Sequence, residues 1–169
     1  TEDGSDVKTA PVEALNSLEE KVLVNETGLT LEQANEKLAQ VSGDMLHIKL
    51  TVDVSNASEF GINLKKGGKW DCTSYRYDVA GETLYGSTEN RGEGCKVKSV
   101  SGWLPTDDGK LTMDIYVDRS LVEGFFNEYK VISIRAYVED PTSQAVDIFA
   151  TGDVIVESLY VASMGSIFD

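Results

Sequence analysis

The chain has 169 residues, with 15 Lys and Arg against 29 Asp and Glu and a formal net charge of −14. That length suits one domain able to bury about two-thirds of its unfolded surface. The charge repels phosphate backbones and anionic lipid, so neither nucleic acid nor a membrane surface is an expected partner. With 41% hydrophobic and 26% charged residues, the composition is that of a globular domain and not of a disordered acidic tail. No apolar run has the length of a membrane span, and TEDGSDVKTA carries no signal pattern. The chain is therefore expected to be mature or a fragment.

Residues 1–10 are expected to be a flexible acidic tail, and residues 11–20, beginning Pro11-Val12-Glu13-Ala14-Leu15, a connecting lead-in laid across a surface. The remainder, 21–169, is expected to be a β-domain, with Lys21–Val24 as a first strand. Leu31–Leu38 is rich in helix formers and follows Thr30, a suitable cap, which predicts a short helix. From Leu46 the period changes to two. Leu46, Ile48, Leu50, Val52 and Val54 fall on a buried face, and His47, Lys49 and Asp53 on a wet one. Further strands are expected at 60–64, 72–78, 82–86, 111–117, 121–126, 131–137, 146–149 and 154–162. Turns such as Lys66-Gly67-Gly68 and Asp107-Asp108-Gly109 separate them. Short alternating strands without helical crossovers predict an all-β, antiparallel β-sandwich of the jelly-roll or concanavalin-like type, preceded by the lead-in.

Cys72 and Cys95 are 23 residues apart and His47 is the sole histidine, so no paired metal motif exists and neither a metal nor another cofactor is expected. Sequons at Asn25-Glu26-Thr27 and Asn56-Ala57-Ser58 make Asn25 and Asn56 glycosylation candidates. Together with the cysteine pair, they favour a secreted, vacuolar or extracellular location and a Cys72–Cys95 disulfide, the alternative being two buried thiols.

The informative segment runs from Leu111 to Asn127. Leu111, Met113, Ile115 and Val117 share a face, Asp118-Arg119-Ser120 interrupts, and Glu123 stands alone in the next apolar strand. A carboxylate there needs a partner. A hairpin closing through Glu128-Tyr129-Lys130 would set it opposite Arg135. Either the two form a structural cross-strand pair, or Asp118, Glu123 and Arg135 present donors and acceptors to a sugar or to a neighbouring domain.

The stretch LTMDIYVDRSLVEGFFNEYKVISIRAY resembles the C-terminal β-sandwich of glycoside hydrolase family 32, the invertases, inulinases and levanases. PVEALNSLEE, EFGINL, YRYD, SLYV and MGSIF extend the resemblance over residues 11–169. It implies a sandwich that accompanies a catalytic five-bladed propeller, with sucrose or a fructan as the substrate class. The family's catalytic aspartate, acid-base glutamate and Arg-Asp-Pro element belong to that propeller and match nothing here. The loop Leu84–Gly92 keeps an Arg-Gly but lacks the family's Asp, and Asn127-Glu128-Tyr129 replaces a turn that commonly holds glycine. The sandwich is also similar to carbohydrate-binding module family 66, which implies a fructan or fructoside ligand. Glu59, Tyr77, Asp78, Arg91, Asp118 and Glu123 are the candidates for such a site, although core or edge packing is the plainer role for Tyr77 and for nearby Trp70. Three roles remain open: a non-catalytic partner of a propeller domain or chain, a free-standing fructan-binding module, or an enzyme in its own right.

Overall fold

A computed structural model of the chain describes residues 7–68, 71–88 and 99–166. The lead-in contains a 3-10 helix, Glu13–Leu18, and runs into β1 (Glu19–Leu29), α1 (Leu31–Leu38) and β2 (Met45–Gly67). Then follow β3 (Asp71–Asp78), β4 (Thr83–Ser87), β5 (Ser99–Trp103), β6 (Lys110–Asp118), β7 (Leu121–Phe126), β8 (Lys130–Arg135) and β9 (Ala145–Met164). All pairings are antiparallel, in the order β5-β4-β3-β2-β6-β7-β8, with β9 beside β2 and β1 beside β9.

Two long strands create the sandwich. Where the alternation suggested separate strands at 46–54 and 60–64, and again at 146–149 and 154–162, each pair is one bent strand. β2 and β9 run together from Leu46 opposite Ser163 to Lys66 opposite Ala145, with register shifts between Asp53 and Asn56 and between Ala57 and Glu59. Such bulges bend a strand and increase its twist. On one side of the bend β2 pairs with β6, on the other with β3. One layer is therefore β1-β9-β2-β6-β7-β8, and the other is β9-β2-β3-β4-β5.

The facing sides hold the core. Leu46, Ile48, Leu50, Val52, Leu111, Met113, Ile115 and Val117 come from the first layer, and Phe60, Ile62, Leu64, Tyr75, Tyr77 and Leu84 from the second; all are buried. Tyr75 crosses between layers, its hydroxyl donating to Ile132 O at 2.7 Å, with Val122 O 3.2 Å away. Burial pushes its phenol well above the usual tyrosine value.

Helix α1 forms where the sequence places it. Thr30 and Gln33 make a reciprocal capping box, and Ala34 and Leu38 are buried. Asn35 lies over the first half of β9, where its amide nitrogen donates to Ile148 O and its amide oxygen accepts from Ile148 N, each at 2.8 Å. The side chain thus stands in for a missing neighbouring strand and covers an edge that would otherwise be open to pairing.

Two expectations are corrected. The first is the disulfide: Cys72 is a half-buried free thiol that donates to Asn63 Oδ1 at 3.4 Å, and burial raises its pKa. No cysteine pair occurs among the described residues, and Cys95, like Trp70 and Arg91, lies outside them. The second is the β7–β8 register, in which Glu123 opposes Ser133 while Arg135 opposes Leu121. The chain turns earlier than expected, because Asn127 and Glu128 both adopt left-handed backbone angles (φ 51° and 50°). Asn127 is fixed there by accepting from Thr112 N at 2.7 Å and donating to Pro105 O at 2.7 Å.

Candidate functional site

The residues that sequence reasoning selected separate onto the outer faces of the two layers. Asp118, Glu123 and Arg135 belong to the β6–β7–β8 face. Alternation sends Leu111, Met113, Ile115 and Val117 inward and so turns Asp114, Tyr116 and Asp118 outward. Glu123 is half-buried and accepts from Ser133 Oγ at 2.7 Å, which leaves the exposed Arg135 to approach Ser120 Oγ at 3.4 Å. The lead-in crosses the same face. Thr9 N donates to Glu128 O at 2.7 Å and Lys8 pairs with Glu128, so residues 8 and 9 are docked on the β7–β8 turn, and residues 1–6 lie outside the described ones. Between the 3-10 helix and the sheet is a cleft of about 280 Å³, with Leu15, Leu18, Met45, Leu121 and Met164 on its walls and Asp118 and Glu123 at its polar side.

At the inner end of the lead-in is a cluster that the sequence did not reveal. His47 was expected on a wet face, and it does point outward from β2, yet it is fully buried. Tyr116 stacks on it with ring centroids 4.1 Å apart, Tyr160 meets it edge-on, and Glu19 closes over it. Its Nδ1 lies 2.5 Å from Glu19 Oε1 and its Nε2 2.7 Å from Asp114 Oδ1. Glu19 also accepts from the Tyr160 hydroxyl at 2.5 Å. Desolvation raises the Glu19 pKa, but the hydrogen bonds from Tyr160 and His47 outweigh it and hold the carboxyl below its usual value. Tyr160 is correspondingly pushed up to about 12, first by its bond to Glu19.

Glu59 and Asp78 come together on the outer face of the second layer, opposite each other on β2 and β3. Arg76 donates to Glu59 at 2.6 Å and lies 4.4 Å above the Tyr85 ring. Beside them the Phe149 ring packs against Gly61, where an added Cβ would sit 2.2 Å from it, so only glycine permits this close approach. Asn63 and Lys66 both engage Asp147 at the far end of the row. Tyr77 is not part of this face. It is fully buried, with its hydroxyl donating to Leu104 O at 3.0 Å. Period two already places Tyr77 and Asp78 on opposite faces, and the same count picks out Arg76, which the reading of candidate ligands passed over.

The two faces differ in what they can do. The β6–β7–β8 face offers an apolar cleft and a strap of polypeptide, features suited to contact with protein. The Arg76–Tyr85–Glu59–Asp78 face offers fixed donors and acceptors beside aromatic rings, features suited to hydroxyl groups. Among the described residues no cluster of His, Cys, Asp and Glu is arranged to hold a metal ion.

Comparison with known proteins gives a consistent result. The model for the glycosyl hydrolases family 32 C terminal matches residues 13–163. The levanase of Bacillus subtilis (strain 168) is 30% identical over an alignment of 142 residues, and the match covers 79% of this chain and 21% of the levanase. The exo-inulinase from Aspergillus awamori superimposes with a TM-score of 0.70 at 20% identity, over 93% of this chain and 32% of the inulinase chain. For sucrose-6-phosphate hydrolase from Lactobacillus gasseri the TM-score is 0.69 at 20% identity, over 93% of this chain and 30% of that one. At that identity the structural likeness establishes the fold, and this chain spans between about a fifth and a third of the length of these relatives. With the family model covering nearly the whole sandwich, the chain belongs to the glycosyl hydrolases of family 32 and corresponds to their C-terminal β-sandwich.

Proposed function

We propose that this chain is a non-catalytic β-sandwich that serves a β-fructofuranosidase-type glycoside hydrolase acting on sucrose or fructans, packed against a catalytic β-propeller in the same or a partner chain. The observation that carries this reading is the match of the family's C-terminal model to residues 13–163, a segment that spans between about a fifth and a third of the length of its relatives. The cleft under the lead-in supplies an apolar surface of the kind that a neighbouring domain covers. A secreted, vacuolar or extracellular setting belongs to the same reading, and both sequon asparagines, Asn25 and Asn56, are exposed.

The second reading, a fructan-binding module, is favoured by one arrangement: the Arg76 guanidinium held by Glu59 over Tyr85, with Asp78 adjacent. One experiment separates the two. The purified chain is assayed for fructose release from sucrose, inulin and levan and for binding to levan and inulin, and native material is run on a denaturing gel. A larger polypeptide that co-purifies, with neither hydrolysis nor binding by the chain alone, fits the accessory role. Fructan binding lost in Arg76→Ala fits the module. Fructose release that tracks this polypeptide through a sizing column overturns both.

A further inference from the structure

The lead-in has little apolar anchorage. Its 3-10 helix buries no side chain. It is held near its ends, by Thr9 N donating to Glu128 O, by Leu18 O accepting from Gly165 N at 2.8 Å, and by Glu19. Glu19 sits where the lead-in becomes β1, and it touches the sole histidine of the chain, which has no solvent contact.

Both nitrogens of that imidazole face carboxylate oxygens, at 2.5 Å and 2.7 Å. An ionised carboxylate only accepts, so both contacts are hydrogen bonds only when the ring carries a proton on each nitrogen. The electron-rich Tyr116 face stacked on the ring favours the same imidazolium. The groups facing His47 are Glu19 from β1, Asp114 and Tyr116 from β6, and Tyr160 from β9, with Lys49 from β2 acting on Glu19 and Glu123 of β7 opposite Tyr116.

We propose that Glu19, His47 and Asp114 form a protonation-gated latch that clamps the lead-in to the sandwich and opens the cleft beneath it when His47 loses a proton. A neutral imidazole keeps one N–H, so one carboxylate then meets a lone pair. Asp114 lies within β6, paired on both sides, whereas Glu19 sits at the end of the peripheral strand β1. Glu19 is the partner that yields, and Leu15 and Leu18 lift from the cleft with it. The latch is a property of this chain alone and stands whether or not the proposed enzyme role does.

A single histidine makes the test direct. With ¹⁵N-histidine in the intact chain, the two ring-nitrogen shifts are followed by NMR as pH rises, alongside amide hydrogen exchange of residues 13–20 corrected for intrinsic rates. The expected result is that the shift change marking loss of a ring proton coincides with an acceleration of about tenfold in lead-in exchange, the loss of one charge-assisted hydrogen bond, while β6 and β7 stay protected. In Glu19→Gln the amide can accept from or donate to the ring, so exchange of the lead-in should no longer follow the titration. A neutral imidazole with a protected lead-in at neutral pH overturns the proposal. So does deprotonation that leaves lead-in exchange unchanged.

Discussion

The register of the β7–β8 hairpin assigns the partner of Glu123, and a double-mutant cycle reads it out. In the structure Ser133 Oγ donates to Glu123 Oε1 at 2.7 Å, on a half-buried outer face, while Arg135 lies two pairs further along, opposite Leu121. A hydrogen bond to a charged acceptor contributes about 1.5 to 3 kcal/mol when shielded, and solvent access here lowers the expectation to about 1 kcal/mol. Glu123→Gln and Ser133→Ala, measured singly and together by urea unfolding, should therefore show a coupling of about 0.5 to 1 kcal/mol. Glu123→Gln with Arg135→Met should add to within about 0.3 kcal/mol, because the two side chains do not share a bond. Unchanged slopes of the unfolding curves would show that only stability has moved. A coupling to Arg135 larger than that to Ser133 would refute the register, and with it the argument that Asn127 sets the turn.

Asn35→Ala should cost about 1 to 2 kcal/mol: two hydrogen bonds to the Ile148 backbone are lost, offset by about 0.6 kcal/mol of helix propensity gained. The Ile148 amide should also lose exchange protection, and unchanged protection would sink the edge-covering role. On the acid side, Glu19 has a folded pKa below its ordinary 4.5, so its contribution is complete above about pH 4.5 and is lost as pH falls through the lower folded value. Thermal unfolding between pH 2 and 6 should accordingly show a steeper acid limb in the wild type than in Glu19→Gln. Cys72 should be alkylated in the denatured chain without any reductant and found so by peptide mapping, whereas alkylation only after reduction would restore a disulfide.

The sequence carried whatever depends on neighbours along the chain. Thr30 and Gln33 announce α1 because capping is a contact across three residues. The alternation from Leu46 to Val54 and from Leu111 to Val117 named the core faces, because successive strand side chains point to opposite sides. The same local signal could not tell that β2 and β9 are single bent strands, because a bulge is defined by the partner it is paired with.

Tertiary structure decided everything that depends on register between distant strands. His47 alternates onto an outer face as expected, but it is buried because Tyr116, Tyr160 and Glu19 arrive from other strands to cover it. Glu123 was rightly expected to need a partner, and the one it has follows from a turn fixed by Asn127 bonds to Thr112 and Pro105. Glu59 and Asp78 meet because β2 and β3 pair in that register, while Tyr77, adjacent to Asp78 in sequence, is on the other side of the sheet. Composition and period fix which residues leave water; only the pairing of strands fixes which polar groups, left on the outside, come within reach of one another.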